Sequence, residues 1–136
     1  MKDSYDVVVV GGGPAGSMAA WETAKAGASV CILEKDRDIG YPVRCGEAAG
    51  ESGIKQFVDI KESWIAEKIT GATLVAPNSA SVDVDFASER GFILNRRIFD
   101  YDLSRYAAGA GAEVYTKAYV KGIHRRNGSI SGVKLD

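Results

Sequence analysis

The stretch YDVVVVGGGPAG, Tyr5 to Gly16, decides the fold. Its four consecutive valines, Val7 to Val10, are β-branched and uniformly apolar, the pattern of a strand buried on both faces of a parallel sheet. The glycines stop that strand. Pro14 suits a first helical position, the residues to Lys25 are rich in helix formers, and Ala26-Gly27 supplies a C-terminal stop. Ser29 to Leu33 is again apolar and partly β-branched, so Tyr5 to Leu33 reads as a strand-helix-strand unit with a right-handed crossover.

Within this unit Gly11, Gly13 and Gly16 satisfy G-x-G-x-x-G. A glycine-rich chain can produce that pattern by chance. Here it follows a strand, opens a helix, and is answered at the end of the second strand by an acid, Glu34, near the spacing such a motif requires. Each residue type has a chemical reason. Gly11 permits the tight turn, Gly13 lets a diphosphate approach the backbone, and Gly16 allows close helix-to-strand packing. The helix entered through Pro14 and Ala15 presents unpaired N–H groups and about half a positive charge to that diphosphate. Glu34 suits the hydroxyls of an unphosphorylated ribose and repels a 2′-phosphate, which favours FAD or NAD over NADP. The turn alone does not separate FAD from NAD.

Composition bounds the rest. The 136 residues are 46% hydrophobic and 26% charged, enough for one core and too few for two ordinary domains. Seventeen Lys and Arg against 18 Asp and Glu leave a net charge of -1, with no electrostatic footprint for nucleic acid or an acidic membrane face. Apolar runs fall well short of the roughly 18 residues of a membrane span, and Met1 to Ser4 lacks a signal peptide's apolar stretch, so a cytoplasmic chain is expected. Cys31 and Cys45 make no disulfide framework, and the lone His124 makes no zinc set. Cys31 reads as core, and His124, beside Arg125 and Arg126, as solvated.

Beyond Glu34 the chain reads as a loop, then a helix over Glu51 to Phe57 and strands over Lys68 to Val75 and Ser81 to Phe86. Val82, Val84 and Phe86 alternate with Asp83 and Asp85, which predicts one wet face. A helix follows over Ile98 to Ala108, with Ile98, Tyr101 or Asp102, and Tyr106 at helical spacing, and then a strand over Glu113 to Tyr119. Asn127-Gly128 predicts a type I′ hairpin that sets Arg126 against Ser129, Val120 beside Leu135 and Gly122 beside Val133, with Ile123 and Ile130 on the other face. Few residues remain for the further parallel strands of a doubly wound sheet, so an incomplete portion of such a fold is expected.

Three more blocks narrow the reading: ILEKD at Ile32 to Asp36, IGYPVRCGEA at Ile39 to Ala48, and LNRRIFDYDL at Leu94 to Leu103, followed by AGAEV. With YDVVVVGGGPAG they resemble the N-terminal part of the archaeal geranylgeranyl reductases, flavoproteins that saturate the isoprenoid chains of membrane lipids. YDVVVVGGGPAG and ILEKD occur in many two-dinucleotide-binding flavoproteins, and RCGE is the narrower marker. The resemblance implies FAD as cofactor. It also implies an α/β, hydroxylase-like fold: a Rossmann-like FAD-binding βαβ unit with additional strands and a C-terminal β-hairpin. Nucleotide-binding segments 1–48 and 90–136 would flank an inserted helix and strands over 49–89.

The resemblance further implies cofactor contacts from Lys35 next to Glu34 and from Arg44, Cys45 and Gly46 near the ribityl and pyrophosphate region. It adds Arg96 of the R-x-x-F-D pattern, completed by Phe99 and Asp100, and backbone groups of Val120 near the adenine. Arg97 is expected to be exposed and Asp100 to brace its helix. Cys45 would lie near the isoalloxazine as a candidate proton donor to an alkene carbon; a small buried filler is the competing reading. The implied substrate is a geranylgeranyl-bearing archaeal glycerolipid reached by peripheral contact at the cytoplasmic face of the membrane, and no residue pattern specifies an electron donor. Two other readings stay open: an FAD-dependent aromatic-hydroxylase-like monooxygenase, and a non-catalytic dinucleotide-binding fragment. A later glycine-aspartate segment and an aromatic lipid-binding motif of the family are not found in these residues, so the isolated portion is expected to be inactive.

Overall fold

The computed structural model describes residues 1–87 and 89–136. In chain order the elements are β1 (Val7–Val10), α1 (Pro14–Lys25), β2 (Val30–Leu33), β3 (Ala48–Gly50), α2 (Glu51–Lys55), a 3-10 turn (Glu62–Trp64), β4 (Ile65–Ile69) and β5 (Gly71–Val75). They continue with β6 (Ser81–Asp85), β7 (Gly91–Leu94), α3 (Arg96–Gly109), β8 (Glu113–Tyr115), β9 (Val120–Arg126) and β10 (Ser129–Leu135). The chain divides into two compact units, Met1–Val43 with Arg97–Asp136, and Arg44–Arg96. The second unit starts before residue 49 and runs past residue 89, so the RCGE block and Arg96 fall within it.

The first unit is built on a parallel sheet of order β1-β2-β8, with Val7 paired to Val30, Val10 to Leu33 and Leu33 to Tyr115. All four residues of β2 are buried, because it alone has a neighbour on each side. The valines of β1 depart from expectation. That strand is an edge of this sheet, and Val7 and Val10 are 37% and 56% exposed, so β1 is not buried on both faces. Val30 and Ile32 of β2 form the core with Ala20 of α1, Ala107 of α3 and Ala112, and Val9, Trp21, Ala24 and Val114 pack against them. Side chains alternate along a strand, so one face of the sheet receives both helices.

Helix α1 has the expected bounds. Pro14 stands in its first turn, and Gly27 closes it at φ +86. The Gly27 amide donates to Ala24 at 2.9 Å and the Ala28 amide to Thr23 at 3.3 Å, a Schellman stop that needs a left-handed residue. Helix α3 turns a different face inward than Ile98 and Tyr101 suggested. Phe99, Leu103 and Ala107, four residues apart, are buried with Asp100 and Ser104, while Ile98 and Tyr101 are exposed. Tyr106 finds its cover on α1, its ring 5.3 Å from that of Trp21.

Strand β8 ends at Tyr115 rather than Tyr119. Lys117 adopts φ +56, and the amides of Lys117 and Ala118 donate to the carbonyls of Asp36 and Glu34 instead of extending the sheet. The hairpin has its type I′ turn, with Asn127 and Gly128 both at positive φ. Its register agrees at the ends, Ser129 with Arg126 and Leu135 with Val120, but is offset between them, so that Gly122 faces Lys134 rather than Val133. An extra residue in β10 at Ser131 is cancelled by one in β9 at Lys121. Ile123 and Ile130 are exposed.

In the second unit β7 is the central strand of an antiparallel sheet of order β3-β7-β4, and Trp64, Ile54, Phe92 and Leu94 are its buried apolar residues. The strand expected over Lys68 to Val75 breaks at Thr70, because β4 pairs with β7 while β5 pairs with β6. Every residue of β6 is exposed, Val82 and Val84 included, so the strand has two wet faces rather than one. Alternation marked an apolar side correctly; no layer covers it among the described residues. Helix α2 stops at Lys55, short of Phe57.

A polar tie holds the start of the chain to β8. Glu113 accepts the Tyr5 hydroxyl at 2.8 Å and the Tyr115 hydroxyl, and pairs with Lys2 at 2.6 Å. These donors, Lys2 first, lower the Glu113 carboxyl to about 2. A carboxyl depressed in the folded state contributes stability above its unfolded pKa and loses it as pH falls through the folded value. Acid titration of wild type and Glu113→Gln is therefore expected to converge between about pH 4.5 and pH 2, with wild type the more stable above that window; parallel curves would contradict the tie.

Candidate functional site

The connection from β1 to α1 is set by steric contact. The Gly11 amide donates to Leu33 at 2.9 Å, ending the ladder, and Gly11 then turns at φ +99. A Cβ on Gly16 would lie 2.0 Å from the Gly11 carbonyl oxygen and 3.1 Å from Val9, so the first turn of the helix approaches the strand as only glycine allows. Gly13 differs: a Cβ there would meet nothing within 4 Å. Gly13 is the N-cap, and no side chain caps the helix. The Ser17 amide bonds the Gly13 carbonyl at 2.9 Å, which leaves the amides of Ala15 and Gly16 ahead of the helical ladder and Pro14 with none to satisfy.

Glu34 meets this turn. Its own amide donates to Tyr115 and its carbonyl accepts Ala118, each at 2.8 Å, so the end of β2 is held to the end of β8 and the residues that follow it. Its Oε2 accepts the Gly12 amide at 2.7 Å and its Oε1 the Asp36 amide at 2.9 Å. A carboxylate offers about four lone-pair directions, so each oxygen keeps one for a hydroxyl. Lys35, beside it, is exposed.

Sequence reasoning missed three residues here. Gly12, the variable position of the motif, is buried, and a Cβ on it would lie 2.9 Å from Ile39 Cδ1 and 3.4 Å from Glu34 Cβ. Ile39 is buried over it. Ser17, wholly buried, donates its hydroxyl to the Gly12 carbonyl at 3.0 Å. The middle glycine of the GGG run was the only local signal.

Val120 opens β9, half-buried, in the same unit as the turn. Arg44, Cys45 and Gly46 are exposed and Arg96 half-buried, all in the second unit. The Cys45 sulfur accepts the Glu47 amide at 3.4 Å; being exposed, this thiol is not a buried filler. Cys31 is core, as expected, and burial, aided by negative Glu113, pushes its thiol up. His124 is exposed, with Nδ1 2.7 Å from the Ser131 hydroxyl. Arg97 is exposed, its guanidinium 5.0 Å from the Tyr41 ring centre, and Asp100 is buried. No group of His, Cys, Asp and Glu able to hold a metal occurs among the described residues.

Residues 6–136 match the FAD dependent oxidoreductase family. The chain belongs to that family. FAD is accordingly its cofactor, and the bare turn with Glu34 beside it fits the diphosphate and ribose of that molecule. Among individual proteins of the family, the chain is 41% identical to digeranylgeranylglycerophospholipid reductase 1 of Methanococcoides burtonii, over 99% of this chain and 34% of that protein. It is 42% identical to the digeranylgeranylglycerophospholipid reductase of Methanocella arvoryzae, over 98% of this chain and 35% of that one. A geranylgeranyl bacteriochlorophyll reductase-like protein of Thermoplasma acidophilum superposes with a TM-score of 0.85 at 38% identity, covering 96% of this chain and 34% of its own. The chain thus spans about a third of the length of these relatives. A myxobacterial FAD-dependent halogenase shares the fold at a TM-score of 0.71 and 20% identity, covering 96% of this chain and 32% of its own.

Gly16 and Gly13 have separable jobs, one in packing and one in access. Gly16→Ala is expected to cost about 1–3 kcal/mol of stability through overpacking, read from denaturant midpoints. Gly13→Ala is expected to leave the flavin-free protein within about 0.5 kcal/mol of wild type while weakening FAD binding about tenfold, read by titration. Equal effects of both on stability would contradict this division.

Proposed function

We propose that this chain supplies the N-terminal FAD-binding part of a reductase that saturates the geranylgeranyl chains of archaeal glycerolipids. The observation that carries the reading is the uncapped glycine turn, open at Gly13, with a carboxylate held against it, in a chain 41% and 42% identical to the two digeranylgeranylglycerophospholipid reductases. In this reading Gly11 shapes the turn, and the amides of Gly13, Ala15 and Gly16 donate to the diphosphate, with Pro14 setting the helix start. Glu34 accepts ribose hydroxyls and Lys35 flanks it. Val120 offers backbone groups to the adenine. Arg44 donates a forked pair of hydrogen bonds to phosphate, with Cys45 and Gly46 beside it, and Arg96 adds a second cationic contact.

Bound FAD supplies hydride from its N5 nitrogen when reduced. The exposed Cys45 thiol is the proposed holder of the proton that the other alkene carbon receives, and the protein's remaining task is to orient a greasy chain and exclude water. No helix among the described residues is long and apolar enough to cross a membrane, and the lipid is reached in this reading by peripheral contact at the cytoplasmic face.

The complete protein, reduced without oxygen and given a geranylgeranyl glycerolipid, is expected to yield a product heavier by two hydrogens per double bond, read by mass spectrometry. A requirement for oxygen with gain of a hydroxyl would instead establish a monooxygenase. Cys45→Ala is expected to lower the rate about 10²–10⁴-fold with FAD still bound, the range for loss of a general acid; an unchanged rate would remove the thiol from the mechanism.

A further inference from the structure

The motif assigns no task to Gly12, yet three side chains converge on it. Its amide donates to Glu34 Oε2 at 2.7 Å, its carbonyl accepts the Ser17 hydroxyl at 3.0 Å, and Ile39 closes over its Cα. We propose that Glu34 and Ser17 clamp the Gly12 peptide units from two sides and so hold the glycine turn open for a diphosphate before any ribose contact is made. The proposal rests on the dinucleotide reading of this site and deepens it: Ser17 is a positioning residue, and Glu34 is one in addition to any contact with the nucleotide.

Peptide planarity gives the clamp its reach. In a trans peptide the C=O and the following N–H point in opposite directions. The Gly12 carbonyl, drawn to the buried Ser17 hydroxyl, therefore sends the Gly13 amide the other way, on the residue whose Cα faces open space. Likewise the Gly12 amide, drawn to Glu34, turns the Gly11 carbonyl away from Glu34, and that oxygen lies where only a glycine at 16 can approach. Orientation at Gly13 is thus set by Ser17 and Glu34, neither of which needs to touch phosphate.

Residue type at 34 follows as well. Both oxygens of Glu34 face backbone donors, the amides of Gly12 and Asp36. Only a carboxylate accepts from both; a glutamine would turn its NH₂ against one of them. A residue serving ribose hydroxyls alone carries no such restriction, because a hydroxyl can donate to the amide oxygen and accept from the amide nitrogen.

The experiment uses the complete chain, stripped of flavin and titrated with FAD. Glu34→Gln and Ser17→Ala are each expected to lower the flavin-free melting temperature by about 2–4 °C and to weaken FAD binding about tenfold. The double variant is expected to lose less than the product of the two, since both act on one residue through its two adjoining peptide units. Gly27→Ala, at the far end of α1, is the control for stability alone: it is expected to lower the melting temperature similarly and leave FAD affinity at the wild-type value. If flavin-free Glu34→Gln melts with wild type and only FAD binding falls, Glu34 serves the nucleotide alone and the clamp is overturned. It is overturned equally if both variants lose no more affinity than Gly27→Ala. Should Glu34→Gln fail to fold, Ser17→Ala is judged by the same two criteria. A wild-type chain that takes up no FAD overturns the dinucleotide reading itself.

Discussion

The closeness of α1 to the end of β1 is the constraint on which the rest depends. At Gly16 a single methyl group would stand 2.0 Å from the Gly11 carbonyl oxygen, a separation no non-bonded pair tolerates. Because the helix starts that near the strand, its first amides lie directly beyond the sheet, with no side-chain cap over them. The end of β2 then brings Glu34 within hydrogen-bond distance of the same turn. A parallel β-α-β unit places these groups together through its topology, so a loop, a helix start and a strand end form one site from positions far apart in sequence.

How the turn keeps its shape is a matter of polar satisfaction. Gly12 is buried, and both of its backbone groups find side-chain partners, Glu34 for the amide and Ser17 for the carbonyl. No buried side-chain polar atom among the described residues lacks a partner. Leaving such a group unpaired costs roughly 1–3 kcal/mol, so the clamp and the turn stabilise one another. The amides of Ala15 and Gly16 stand ahead of the helical ladder with no side-chain cap, and an anion is their natural complement.

Much of this was legible in the sequence because it is local. G-x-G-x-x-G, Pro14, the Gly27 stop and the Asn127-Gly128 turn are each decided by a few neighbouring residues, and each has the backbone expected of it. Contacts between distant segments were not legible. Ile39 over Gly12 and Ser17 under it carry no motif, and a valine run does not say how many neighbours its strand will have. Alternation in β6 marked an apolar side without saying whether anything lies on it. In α3 the row that packs is Phe99-Leu103-Ala107; Ile98 and Tyr101 are apolar enough to suggest a different face, and the sheet decides between them.

We propose the amides at Gly13, Ala15 and Gly16 as the seat of the FAD diphosphate. A crystal structure of the complete protein loaded with FAD decides where the diphosphate sits. Diphosphate oxygens are expected within about 3.2 Å of at least two of those amides, with Glu34 in reach of a ribose hydroxyl. A diphosphate bound elsewhere, with the turn closed by its own carbonyls, would contradict it.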